Sequence, residues 1–274
     1  MSVQASTLTR PALGWLPRAI LSGFIAAVAM VISFFVAYGV ARVAATVTLA
    51  DRRGAETFHQ WMQALTNNQV LDLAAGSLYA AAAVHLTMGV LWALLYAYYF
   101  EPNLPGSGWV KGLTFSLVPW ALSLLVFLPI VGGGFLGFAL GAGPLPIIGN
   151  LVLHSVYGVT LGAMYGPLGD IAADEFPHAG QTDEPEVVAR YERAAARGVV
   201  GGAIAGLVVG VVLAILAAGQ TATTPFGVPP LAFPPVVAVI GASFGGLIGS
   251  LSGMAAAGTE SYGEPAPRPF DRAA

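Results

Sequence analysis

Six stretches of this chain carry no Asp, Glu, Lys or Arg: Ala19–Ala41, Leu73–Tyr99, Gly112–Gly132, Ile147–Gly166, Gly198–Ala218 and Phe233–Ala257. Each is close to the ~20 residues an α-helix needs to cross a ~30 Å hydrocarbon layer. Backbone polar groups in lipid must be bonded within the segment, so the pattern predicts six transmembrane helices. A membrane β-barrel would instead show short strands alternating apolar and polar residues. The polar connections fall between these runs. Val43–Asp72 holds Asp51, Arg52, Arg53, Glu56 and His59, and Glu101–Gly108 is a tight Pro/Gly turn. Pro167–Arg197 holds most of the acids, and its second half reads as a charged helix leading into the fifth span. Within Val43–Asp72, Phe58, Trp61, Met62 and Leu65 recur at helical spacing. A short amphipathic helix on the membrane surface fits that spacing, and so does one packed under a neighbouring loop.

Small residues form a second pattern. Counting from His85, His154 and Gly241, the even-numbered spans place them at matching positions: Gly89, Ala93 and Ala97; Gly158, Gly162 and Gly166; Gly245, Gly249 and Gly253. Residues four apart share a helix face, and such stripes let neighbouring backbones approach closely in lipid. Gly89, Gly158, Gly162, Gly166, Gly245, Gly249 and Gly253 are therefore expected at helix seams. Spans two and four also share Tyr96 and Tyr165 at one offset, and the odd-numbered spans each open on a basic residue (Arg18, Lys111, Arg197). The expected fold is all-α: a polytopic bundle of six transmembrane helices built from three tandem hairpins. Residues 1–170 form a four-helix unit with spans 19–41, 73–99, 112–132 and 147–166, joined by the polar connection 43–72. An acidic cytoplasmic linker, 171–197, leads to a third hairpin at 198–257 and a disordered tail at 258–274. Pro119 and Pro129 predict a kink or an early end in the third span. Gly132–Pro146 is apolar yet full of helix breakers, so it reads as a re-entrant segment.

Composition sharpens this picture. The chain is 56% hydrophobic and 9% charged, against about 25% charged in a typical soluble domain. The net charge of −3 points to no nucleic-acid partner. The absence of cysteine excludes disulfides and thiolate chemistry. The first apolar run is longer than a cleaved leader's, so it reads as a retained anchor helix. If the basic starts of the odd spans face the cytoplasm, so do Arg10, Arg190, Arg193, Arg268 and Arg272, with Arg42, Arg52 and Arg53 opposite. The positive-inside rule then places both termini in the cytoplasm of a prokaryotic inner membrane.

Chemistry narrows to two side chains. His85 and His154 are the only Asp, Glu, Lys, Arg or His residues inside the spans, and ionisable groups at that depth are functional candidates. Neutral imidazoles on two helices can ligate haem iron from both sides, with a glycine one turn away making room for the macrocycle. The same pair can hold a pigment or a metal ion, or hydrogen-bond a quinone. The alternative is interhelical hydrogen bonding, with Ser22, Ser116, Asn150 and Tyr157 as partners. His59 and His178 lie in polar segments and read as solvated, as do the acids of 170–192. No P-loop, nucleophile elbow or HExxH is present, and no span holds a carboxylate or lysine. An enzyme is not expected, and a proton- or sodium-coupled carrier lacks its usual groups.

Three ordered motifs carry a resemblance: VHLTMGVLWALLYA with His85 and Gly89; a third span with Trp120, Leu122, Phe127, Pro129, Gly132 and Gly134; and a closing His154-x-x-Tyr157-Gly158-x-x-x-Gly162-x-x-Tyr165-Gly166. Together, over about residues 18–170, they resemble a family of small bacterial and archaeal integral membrane proteins of unknown function. The resemblance implies a four-helix membrane unit and an association with respiratory-chain proteins. The expectation is thus a non-enzymatic accessory or assembly subunit of a respiratory or photosynthetic membrane complex, in contact with lipid and with other membrane subunits. A b-type haem or pigment protein using His85 and His154, and a channel or carrier for a small neutral solute, are the alternatives.

Overall fold

The computed structural model describes residues 14–46, 53–166, 184–218 and 229–261. Arg10, His178, Asp170, Asp174, Glu175, Asp183 and the tail from residue 262 lie outside the described residues. Among those described, the ordered elements are helices: α1 (Trp15–Thr46), α2 (Arg53–Thr66), α3 (Gln69–Gly76), α4 (Leu78–Leu95), α5 (Gly108–Leu122), α6 (Leu145–Tyr165), α7 (Glu184–Ala218) and α8 (Phe233–Ser261). Six are long and apolar enough to cross a membrane: α1, α4 with its π-helical extension to Phe100, α5 continued to Ile130, α6, α7 from Val188, and α8. The chain is a multi-pass helical membrane protein.

Local chemistry explains where the helices start and stop. Asn68 caps α3, its side chain accepting from the backbone amides of Val70 and Leu71 at 3.1 and 3.2 Å. The chain breaks at Ser77, so the second span opens at Leu78, a few residues later than the apolar run alone suggests. Pro119 does not end α5. The missing amide is absorbed by a π turn over Ser123–Phe127, after which Leu128–Ile130 completes the helix.

Beyond α5 the chain forms a 3-10 segment, Phe135–Leu140, held by its own backbone bonds, including Gly133 to Leu128 at 2.7 Å and Ala139 to Gly133 at 3.1 Å. It is also tied to the polar connection. The Gln69 amide donates to the Gly132 carbonyl. The Trp61 ring lies against Gly143, whose φ of +54° suits only a residue without a side chain. Of the two placements open for the amphipathic stretch, Trp61 therefore takes the one beneath a loop.

The most extensive helix contacts join chain neighbours: α7 with α8, α5 with α6, and α1 with α4; α1 also lies against α6. Glycines explain how close these approaches are. A Cβ on Gly158 or Gly162 would run into the backbone of Gly112 or Gly108, and the reverse holds. Gly198, Gly202 and Gly206 of α7 meet Gly241, Gly245 and Gly249 of α8 in the same way. Gly89 packs on the Ala27 methyl and Gly23 on that of Ala93, which makes the α1–α4 seam. A Cβ on Gly253 would sit 3.1 Å from the Ala194 methyl, and one on Gly166 would meet nothing within 4 Å. The α7–α8 pair docks on α1 through Phe24 against Phe244 (centroids 5.3 Å apart) and Ile20 beside Gly246.

Candidate functional site

One end of the bundle is tightly closed. The starts of α1 and α5, the ends of α4 and α6, and the early part of α7 meet there. Arg18, only 9% exposed, sits 4.4 Å over the Tyr165 ring and donates to the Tyr165 carbonyl at 3.3 Å. A cation at that carbonyl, on the last residue of α6, complements the negative end of the helix dipole. Lys111 pairs with Glu101 at 3.0 Å, Trp15 packs on Tyr98, and the Glu192 side chain closes over Gly14. Inside this end lies the buried core: Ala19, Ala26, Ala93, Tyr96, Ala97, Phe115, Tyr157, Leu161 and Tyr165.

His85 and His154 stand where this core stops. Each is about three turns, or ~16 Å, from Tyr96 or Tyr165 along its helix. That is roughly half of a ~30 Å hydrocarbon layer, so the pair lies near mid-membrane. Past the histidines the helices splay and expose apolar side chains: Phe35 and Val36 of α1 are 56% and 62% exposed, Tyr79 of α4 91%, and Ile148 of α6 53%.

The histidines are held by backbone. His154 Nδ1 is 2.9 Å from the Asn150 carbonyl one turn back on α6. A carbonyl only accepts, so Nδ1 carries the hydrogen, and the neutral ring presents its Nε2 lone pair. His85 hydrogen-bonds the backbone of Ala27 on α1. The Ala27 amide is engaged within its own helix, so here too a carbonyl accepts and one ring nitrogen keeps a free lone pair. The two rings are close enough for the charge on one to act on the other. Asn150 is itself steered from α5, its Oδ1 accepting from Ser123 Oγ at 2.9 Å, while Trp120 Nε1 donates to the Ile147 carbonyl at 3.3 Å. Ser22 and Ser116 hydrogen-bond carbonyls of their own helices instead.

Just inside the pair, the Tyr157 hydroxyl donates to the Gly89 carbonyl at 2.7 Å. This bond matters because α4 and α6 make little direct backbone contact; α1 lies against both. Tyr157→Phe is expected to lose about 1 kcal/mol, read as a melting temperature a few degrees lower in detergent with the bundle intact. An unchanged melting temperature would show that the bond carries no net stability.

Sequence reasoning named both histidines and the even-span glycines but not the partner glycines Gly108, Gly112, Gly198, Gly202 and Gly206. Their signal was available for the last three, which repeat at four-residue spacing. His59 bonds Gln63 on its own helix at 2.9 Å. Among the described residues, no group of three or more His, Cys, Asp or Glu side chains could hold a metal ion.

A six-span helical bundle with a polar pair at mid-depth defines a polytopic membrane protein rather than any known catalytic class. A family model matches residues 15–175, more than half of the chain, and by it the protein belongs to DUF6789, a family of unknown function. The match runs from α1 through α6 and stops before α7. No curated protein and no solved structure matches the chain.

Proposed function

We propose that the protein is a non-enzymatic accessory or assembly subunit of a larger membrane complex, respiratory or photosynthetic, in a prokaryotic inner membrane with both termini cytoplasmic. The observation that carries this reading is the free half of α1. An open apolar groove of about 470 Å³ runs along it, lined by Phe35, Val36, Gly39, Val40, Val43 and Ala44. A Cβ on Gly39 would meet nothing within 4 Å. A small residue amid branched apolar ones is what an incoming transmembrane helix packs against. The glycine seams support a rigid scaffold, because helices in backbone contact cannot slide without losing that contact. They weigh equally against a carrier that must open and close between those helices.

We further read the six spans as three copies of one hairpin threaded the same way. The pairing of chain neighbours and the convergence of Arg18, Lys111 and the early part of α7 at one end support this reading.

The test is a photo-crosslinking amino acid placed at Val36 or Val40 in native membranes. Adducts of defined mass with another membrane polypeptide are expected at these positions and not at Val209, on the α7 surface. Lipid adducts alone at all three would overturn the subunit reading. The haem reading of the histidines rests on other residues and stands or falls separately.

A further inference from the structure

The mid-membrane pair carries an inference of its own. Its two imidazoles come from different helices, and each is fixed by a backbone carbonyl on one nitrogen, His154 at Asn150 and His85 at Ala27. Such second-sphere bonds set the tautomer and orient a ligating histidine, leaving the other nitrogen to the metal. Hydrogen-bonding glue between helices would do the reverse and spend the pair on side chains of neighbouring spans.

The number of ligands selects among metal groups. A bare ion of the zinc type takes four ligands from N, S or O donors, and no third His, Cys, Asp or Glu joins the pair among the described residues. A metal tetrapyrrole brings its own equatorial nitrogens and asks the protein only for axial ones. Two neutral imidazoles facing one another meet that demand.

Space and polarity agree. α4 and α6 stand apart at this depth, with α1 against both. On the core side, Tyr157 closes the gap through Gly89. On the other side, α4 presents the run Ala80–Ala83, and the splayed α1 and α6 expose Ile32 (59%) and Val152 (55%). A flat apolar ring entering from the lipid would meet small or apolar side chains, with polar atoms only at its centre.

We propose that His85 and His154 are the axial ligands of one iron tetrapyrrole held between α4 and α6 at mid-membrane, with Ala27 and Asn150 positioning the two rings. Asn150 is a positioning residue, kept in register with α5 by Ser123.

Full-length protein in detergent, titrated with hemin, tests this. Saturation at one haem per chain is expected, with a low-spin six-coordinate spectrum that sharpens into split visible bands on dithionite reduction. Electron paramagnetic resonance of the ferric wild-type form needs no variant and is expected to give the low-spin signal of two imidazole ligands. His85→Gly and His154→Gly are each expected to turn the spectrum five-coordinate and high-spin, and added imidazole to restore the low-spin form. Hemin that leaves the wild type colourless, a high-spin ferric wild type, two haems per chain, or a spectrum indifferent to both substitutions would each overturn the assignment. None of these results bears on crosslinking at Val36 and Val40, so the two readings fail separately.

Discussion

Gly162→Leu is expected to abolish the stable bundle. A Cβ at this position would collide with the Gly108 carbonyl and crowd the Gly112 amide, and both obstacles are main chain. Overpacking typically costs ~1–3 kcal/mol where side chains can shift aside. Here α5 and α6 must move apart along the whole seam, because Gly112 and Gly158 are in the same close contact one turn on. The cost should therefore reach or exceed ~3 kcal/mol. Size-exclusion chromatography in mild detergent should show aggregate in place of a monodisperse peak. Gly166→Leu is the control: a Cβ there meets nothing within 4 Å, and the variant should behave as wild type. A monodisperse Gly162→Leu protein with an unchanged melting temperature would remove the seam from the account.

Arg18→Ala is the second large effect. Its guanidinium donates to the carbonyl that ends α6 and lies over the ring of the same tyrosine. Hydrogen bonds from charged groups contribute ~1.5–3 kcal/mol and cation–π contacts ~0.5–2 kcal/mol. Against this, Arg18 Nε is buried without a partner, which offsets part of the gain. A net loss of about 2 kcal/mol is expected. Arg18→Lys should fall between, since an ammonium can reach the carbonyl but cannot stack its charge as a plane. Thermal unfolding of the three proteins in one detergent measures the series. Equal melting temperatures would mean that the Tyr165 contacts only balance the burial of the charge.

These two cases mark what the sequence made legible and what it did not. Gly162 was visible because a helix seam needs small residues at four-residue spacing, and that is a property of one segment. Arg18 was visible only as a positive charge at the start of a span. Its partner lies 147 residues away, and no local pattern reports that distance. The histidines divide in the same way. Their depth follows from counting residues, so the sequence alone marked His85 and His154 as candidates. The atoms that hold them, the carbonyls of Ala27 and Asn150, are backbone atoms that no residue type announces.

Proline gave a misleading signal for a related reason. Pro119 removes a hydrogen bond, but the π turn after it takes up the fault and α5 continues. Trp61 sits at helical spacing with Phe58 and Leu65, which suits lipid or protein equally. Only the left-handed Gly143 beside it settles that the ring is covered.

The chain has no cysteine, so single cysteines can be introduced without removing any, and their labelling in intact cells and in inverted vesicles maps each position to a side of the membrane. Cysteines replacing Lys111 and Arg197 should react from the same face, with one replacing Gln69 reacting from the opposite face. Labelling of positions 111 and 197 from opposite faces would contradict three hairpins threaded alike, and with them the architecture on which every other expectation here is built.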